Sequence, residues 1–144
     1  MRPLDEPIPP TETLYRWIAV DDVNGTELLP HAIDLARSSV NRAKYWPNPL
    51  SQIPFEPALN GLAAITSAEF PTGISVNEVD YEFFAVDWPE EDNDAHAEIR
   101  SGRHPSADRP TGDRPDGFKP KSPVAKEKLR SALALKMRVV KAPT

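Results

Sequence analysis

Apolar and polar positions follow two different periods along this chain, and the change of period organises it. Residues 13–20 (Thr-Leu-Tyr-Arg-Trp-Ile-Ala-Val) are rich in β-forming side chains and predict a first strand. A period of two sorts them into Leu14, Arg16, Ile18 and Val20 on one face and Tyr15, Trp17 and Ala19 on the other. Residues 82–88 form the strongest core signal, a near-continuous apolar run of the kind expected from a central strand covered on both faces, stopped by Pro89. Weaker runs at 38–42, 62–67 and 95–100 complete a set of five predicted strands, with 74–80 as a connector. The period then becomes helical. Ala125, Leu129, Ala132, Leu133 and Met137 form one stripe, and Ser122-Pro123 supplies an N-cap followed by a first-turn proline. A second, short helix is predicted over 28–37, with Pro30 in its first turn. This pattern predicts an α+β fold: a small mixed or antiparallel sheet with a C-terminal helix packed on it.

Proline refines the boundaries. There are 17 among 144 residues, crowded into the first ten positions, 47–57 and 105–123, so these stretches are predicted to lie outside helix and sheet interiors. Residues 1–12 read as a disordered or extended arm. Residues 13–144 read as one domain, interrupted by a proline-rich basic loop at 101–122. Within that loop Pro-Ser-Ala-Asp-Arg, Pro-Thr-Gly-Asp-Arg and Pro-Asp-Gly-Phe-Lys follow one another, with almost nothing apolar to bury.

Charge is polarised. Residues 1–99 carry 5 Lys and Arg against 18 Asp and Glu, whereas 100–144 carry 12 against 4. A basic segment of this kind can contact nucleic-acid phosphates, but Phe118 is its only aromatic residue, so base stacking is not expected. The competing expectation is that the basic segment lies across the chain's own acidic body. With no cysteine, disulfides, thiolate metal sites and cysteine nucleophiles are excluded. No apolar run is long enough to span a membrane and the N-terminus lacks a signal-peptide pattern, so a cytoplasmic location without membrane contact is expected.

Candidate chemistry is sparse. Arg16 is the one charge in an apolar row and needs a negative partner; Glu78, Glu82 or Glu98 could supply it internally, or Arg16, Arg42 and His96 could converge on a bound anion. Asp92, Asp94 and His96 alternate and would share a face if extended, but the chemistry of an acidic loop is ordinarily that of a solvated surface, so no metal and no cofactor is assigned. Arg16, Ser39 and a downstream glutamate follow the order of groups in compact ADP-ribosyltransferase-like folds, which makes a small nucleotide-dependent transferase the alternative to a binding protein. Nucleophile elbow, phosphate-binding glycine loop and H-E-x-x-H are all absent from the sequence.

Leu14-Tyr15-Arg16, Ser39-Val40-Asn41-Arg42 and His96-Ala97-Glu98-Ile99, with Gly61-Leu62-Ala63 between them, give an L-x-R … S-V-N-R … H-A-x-I order. This order resembles a group of small bacterial proteins for which no activity is known. The resemblance implies one α+β domain, with the H-A-x-I stretch near the end of its sheet and a C-terminal helix ending near Val139-Val140. It also points to Arg16, Arg42 and His96 as a shared site. The binding residues expected from sequence are therefore Arg16, Ser39, Arg42 and His96. The expected role is a non-enzymatic interaction module that engages a protein partner through charged loops, with nonspecific nucleic-acid binding through 100–144 as a further alternative.

Overall fold

The computed structural model describes residues 2–3, 6–52, 60–104 and 120–144. Its centre is a single antiparallel sheet of seven strands that curls into a half-barrel. The strands are β1 (Thr13–Ile18), β4 (Ser38–Arg42), β5 (Gly61–Thr66), β6 (Ile74–Val76), β7 (Val79–Asp87), β8 (His96–Arg103) and β9 (Arg138–Lys141). They lie side by side in the order β6, β7, β8, β4, β1, β5, β9. A separate two-stranded hairpin joins β2 (Val23–Asn24) to β3 (Glu27–Leu28), with Gly25 at φ +66° in the turn. The one α-helix among the described residues, α1, spans Pro123–Lys136.

The α+β expectation is therefore corrected to a mainly antiparallel β fold with one helix. The sheet is not small, and every ladder in it is antiparallel. Two strands were hidden in the sequence. β6 and the start of β7 meet at Asn77 and Glu78, both with positive φ, so a left-handed two-residue turn closes the hairpin without any glycine. β9 follows α1 directly, because the helix stops at Lys136 with Met137 as its C-cap instead of running to 139–140.

The helix predicted over 28–37 is absent. Pro30–Ala32 makes a single 3-10 turn. The chain then leaves helical geometry, because Asp34 accepts from the Ala36 and Arg37 amides while Ser38 Oγ bonds both the amide and the carbonyl of Asp34. These local side-chain bonds replace the helical ladder.

The core lies in the concave face of the sheet. Leu14, Ile18, Val40, Ala63, Ile65, Phe83, Ala97 and Ile99 meet Ala125, Leu129, Leu133, Ala134 and Met137 of α1 there. Ser122 caps the helix, its Oγ accepting from the Ala125 amide at 3.3 Å. A smaller cluster of Trp46, Leu62 and Ala95, with Tyr15, Trp17 and Tyr45 against it, covers the opposite face. There Trp46 stands edge-on to Trp17 at 5.8 Å.

Gly61, at the start of β5, leaves room for the C-terminal tail. A Cβ there would lie 2.5 Å from Pro143 Cγ and 2.9 Å from the Lys141 carbonyl oxygen. Gly61→Ala is expected to cost about 1–3 kcal/mol and to loosen β9 first. Amide exchange of 138–141 that stays as slow as in the unaltered protein would contradict this.

Candidate functional site

The site arises where two strands part. β1 pairs with β5 along its whole length, but with β4 only at Leu14↔Arg42 and Tyr15↔Asn41. β4 meanwhile stays paired with β8 through Ser38↔Ile99. Continuing the β1–β4 register would have placed Arg16 opposite Val40 and Trp17 opposite Ser39; a gap lies there instead.

Arg16 fills the gap. Its Nη1 donates to the Ser39 carbonyl at 2.8 Å, and its Nε and Nη2 both donate to the Ala32 carbonyl, at 3.1 and 2.8 Å. The side chain thus takes the place of the missing ladder bonds. No carboxylate among the described residues lies within ion-pair distance, so Glu78, Glu82 and Glu98 do not neutralise it. Burial lowers the Arg16 pKa, and the more distant Asp22 and Asp34 oppose that shift.

Beside this guanidinium opens a cavity of about 370 Å³, lined by Arg16, Trp17, Ser39, Val40, Asn41, Glu90, Asn93 and His96. Three of the four residues expected from sequence, Arg16, Ser39 and His96, therefore share one concavity. Arg42 is not in its wall.

His96 is held on both sides. Its Nδ1 lies 2.7 Å from the Trp88 carbonyl oxygen, which can only accept, so Nδ1 carries the proton. In the neutral ring Nε2 is then the basic nitrogen. It lies 3.3 Å from Ser39 Oγ and 3.6 Å from a Glu90 carboxylate oxygen. Asn93 Nδ2 donates to Asn41 Oδ1 at 2.7 Å, which turns the Asn41 amide and leaves its Nδ2 without a described partner. The Trp17 indole N–H is buried and likewise has no described partner.

Sequence reasoning missed Trp17, Asn41, Glu90 and Asn93. The signal for Asn41 was its place in β4 two residues after Ser39, which puts both on one face. Asp92 and Asp94 do not share a face with His96, because they lie in the turn before β8. Among the described residues no group of three His, Asp or Glu could hold a metal ion.

Arg42 belongs to a second cluster. Register and parity put it on the face of Leu14, Val40 and Asp87. There it is completely buried, chelating Glu12 through Nε and Nη2 at 3.0 and 2.8 Å and reaching Asp87 through Nη1 at 3.0 Å. Arg2 chelates the same Asp87 at 2.8 and 2.6 Å and stacks 4.1 Å over the Tyr45 ring. Glu6 accepts from Lys44 at 2.6 Å and from the Tyr45 hydroxyl, and its backbone amide bonds Asp87. The described residues of the arm are thus joined to β4 and β7 by charge. Burial lowers the Arg42 pKa, but the bonds to Glu12 and Asp87 outweigh it and the net shift is upward.

The carboxylates of this cluster set an acid limit. Hydrogen bonds from Lys44 and Tyr45 hold the Glu6 carboxyl down from 4.5 to about 2. Burial raises that of Asp87, yet bonds from Arg2, the Glu6 amide and Arg42 leave it lowered. Both groups bind protons less readily folded than unfolded. Their stabilisation is therefore complete above about 4.5 and is lost as pH falls through the folded values, toward about 2 for Glu6. The urea midpoint should fall steadily across that window; a flat midpoint would show that the cluster does not form in solution.

Comparisons of the chain with protein-family models, with curated proteins and with solved structures find no match.

Proposed function

We propose that the protein is a binding module whose cavity between β1 and β4 receives a single anionic group, a carboxylate or a phosphate, presented by a partner. The observation that carries this is that Arg16 bonds carbonyl oxygens and no carboxylate among the described residues. Arg2, Arg42, Arg100 and Arg138 each meet a carboxylate within the chain. Arg16 bonds only carbonyl oxygens, and the same cavity wall carries a hydroxyl, an amide N–H without a partner among the described residues, an imidazole and the Glu90 carboxylate. A partly desolvated guanidinium whose only acidic neighbours, Asp22 and Asp34, act from beyond ion-pair distance gains from an incoming anion. Two of its five N–H groups are left over for such a ligand.

Glu90 supports a second reading. It brings an acidic residue into the same cavity as Arg16 and Ser39, the combination expected of a small nucleotide-dependent transferase. The nucleic-acid reading has less behind it. Arg100, Lys128, Arg138 and Lys141, four of the described cations of 100–144, each bond a group of the chain itself.

Titration with inorganic phosphate and, separately, acetate tests the binding reading through the ring resonances of His96. Saturable shifts are expected in the unaltered protein. Arg16→Lys should bind at least about tenfold more weakly, because a compact ammonium cannot keep both carbonyl bonds and still offer a planar fork. Unmoved His96 resonances with both anions would sink the reading.

A further inference from the structure

Ser39 and His96 are more than cavity wall. We propose that they form a nucleophile–base pair that takes the acyl group of a carboxylic ester bearing a second, anionic carboxylate. The proposal rests on the anion-binding reading of Arg16, which would hold that second carboxylate.

The geometry has three parts. First, the proton position on His96 is fixed. The Trp88 carbonyl holds Nδ1–H at 2.7 Å, so Nε2 faces Ser39 Oγ as an acceptor at 3.3 Å. A backbone carbonyl here does the orienting that a carboxylate does in other serine–histidine pairs. The separation is longer than a strong hydrogen bond, as is common for such pairs before substrate binds. Second, the pair is asymmetric in access. His96 is only 6% exposed and is held in place, whereas Ser39 is exposed and can meet a substrate carbonyl. Third, the same wall carries a donor without a partner among the described residues: Asn41 Nδ2, on the face of Ser39 and turned by Asn93. It can donate to the oxyanion that develops on the substrate carbonyl. Glu90 places a carboxylate oxygen 3.6 Å from Nε2, beside the imidazolium that forms in between.

The chemistry balances as ester plus water giving acid plus alcohol. Ser39 Oγ bonds to the carbonyl carbon while its proton passes to His96 Nε2. The carbon–oxygen bond to the alcohol breaks, and Nε2–H protonates the departing oxygen. A water molecule then gives a proton to Nε2 and attacks the acyl carbon. Ser39 leaves with that proton restored to Oγ.

The full chain would be mixed with 4-nitrophenyl butyrate and with mono-4-nitrophenyl adipate, which adds a free carboxylate. A stoichiometric burst of 4-nitrophenol is expected, larger in rate for the adipate, with the acyl adduct located on Ser39 by peptide mass mapping. Ser39→Ala should abolish the adduct. His96→Gln should slow acylation by about 100-fold or more. Arg16→Lys should keep the adduct and lose the preference for adipate. Circular dichroism on each variant separates these effects from unfolding. If phosphate still shifts the His96 resonances but no adduct forms on Ser39, the nucleophile assignment falls and the binding site stands. If neither is seen, both fall. An adduct on any other residue also overturns the assignment.

Discussion

Replacing Arg42 by Met is expected to lower the free energy of unfolding by about 3–5 kcal/mol, the cost of breaking a buried ion pair by removing one partner. Asp87 is completely shielded in its side chain and Glu12 nearly so. Without Arg42, Asp87 keeps Arg2, but Glu12 loses both of its guanidinium bonds and retains only the Lys44 amide. Methionine would fill the volume without restoring a charge. The arm should therefore loosen together with the loss of stability, because Glu6 and Glu12 both point their carboxylates at Arg42. Urea unfolding of Arg42→Met beside Glu12→Gln gives the measure. The arginine variant should be the weaker of the two, since the glutamine can still accept from Arg42. Equal midpoints for Arg42→Met and the unaltered protein would mean that this cluster is solvated and carries little of the fold.

Leu129→Ala should cost about 2–5 kcal/mol, the range for removing a large aliphatic side chain from a packed core. Leu129 is fully buried at the middle of α1, one turn before Leu133 and one after Ala125, and the three share the core with β1, β4, β5 and β8. Leu135, two residues past Leu133 and so on the opposite side of the helix, is 83% exposed. Leu135→Ala on the same helix is thus the control, expected to stay within about half a kcal/mol of the unaltered protein. Thermal or urea unfolding of the two variants separates them; a Leu129→Ala midpoint as mild as that of Leu135→Ala would place the helix off the sheet.

The sequence showed the parts of this fold that depend on periodicity and hid those that depend on neighbours. β1, β4, the body of β7 and α1 carry their signals in their own residues. β9 does not: Arg-Val-Val-Lys is too short to declare itself, and it becomes a strand because β5 offers an open edge beside Gly61. The short apolar stretch at 28–37 looked helical because its spacing allowed it, and Asp34 and Ser38 overrode the spacing with bonds to their own backbone. At the site the sequence singled out the right kinds of residue. It grouped Arg42 with Arg16 as two cations that could share an anion, whereas Arg42 is taken up by Glu12 and Asp87 and Arg16 turns into the gap beside β4 toward the Ser39 carbonyl. The cavity itself could not be read in advance. It exists because β1 and β4 stop pairing after two residues, which is a property of the ladder and not of either strand.

The strand order carries a consequence for how the chain reaches this state. β4 is the middle strand and lies between β8 and β1, so the centre of the sheet joins strands that are far apart in the sequence. Strands β6, β7 and β8 form one flank, and the other flank is closed by β9, which follows all the other strands in the sequence. Until β9 arrives, β5 is an unpaired edge of apolar residues, Leu62 to Ile65, which is a surface on which another nascent copy could pair. Arg2 must also wait for Asp87. Closing contacts so far apart in sequence is slow, commonly on the scale of milliseconds to seconds for β architectures of this kind. Chains truncated before Arg138 should therefore aggregate, whereas a chain that includes β9 covers this edge.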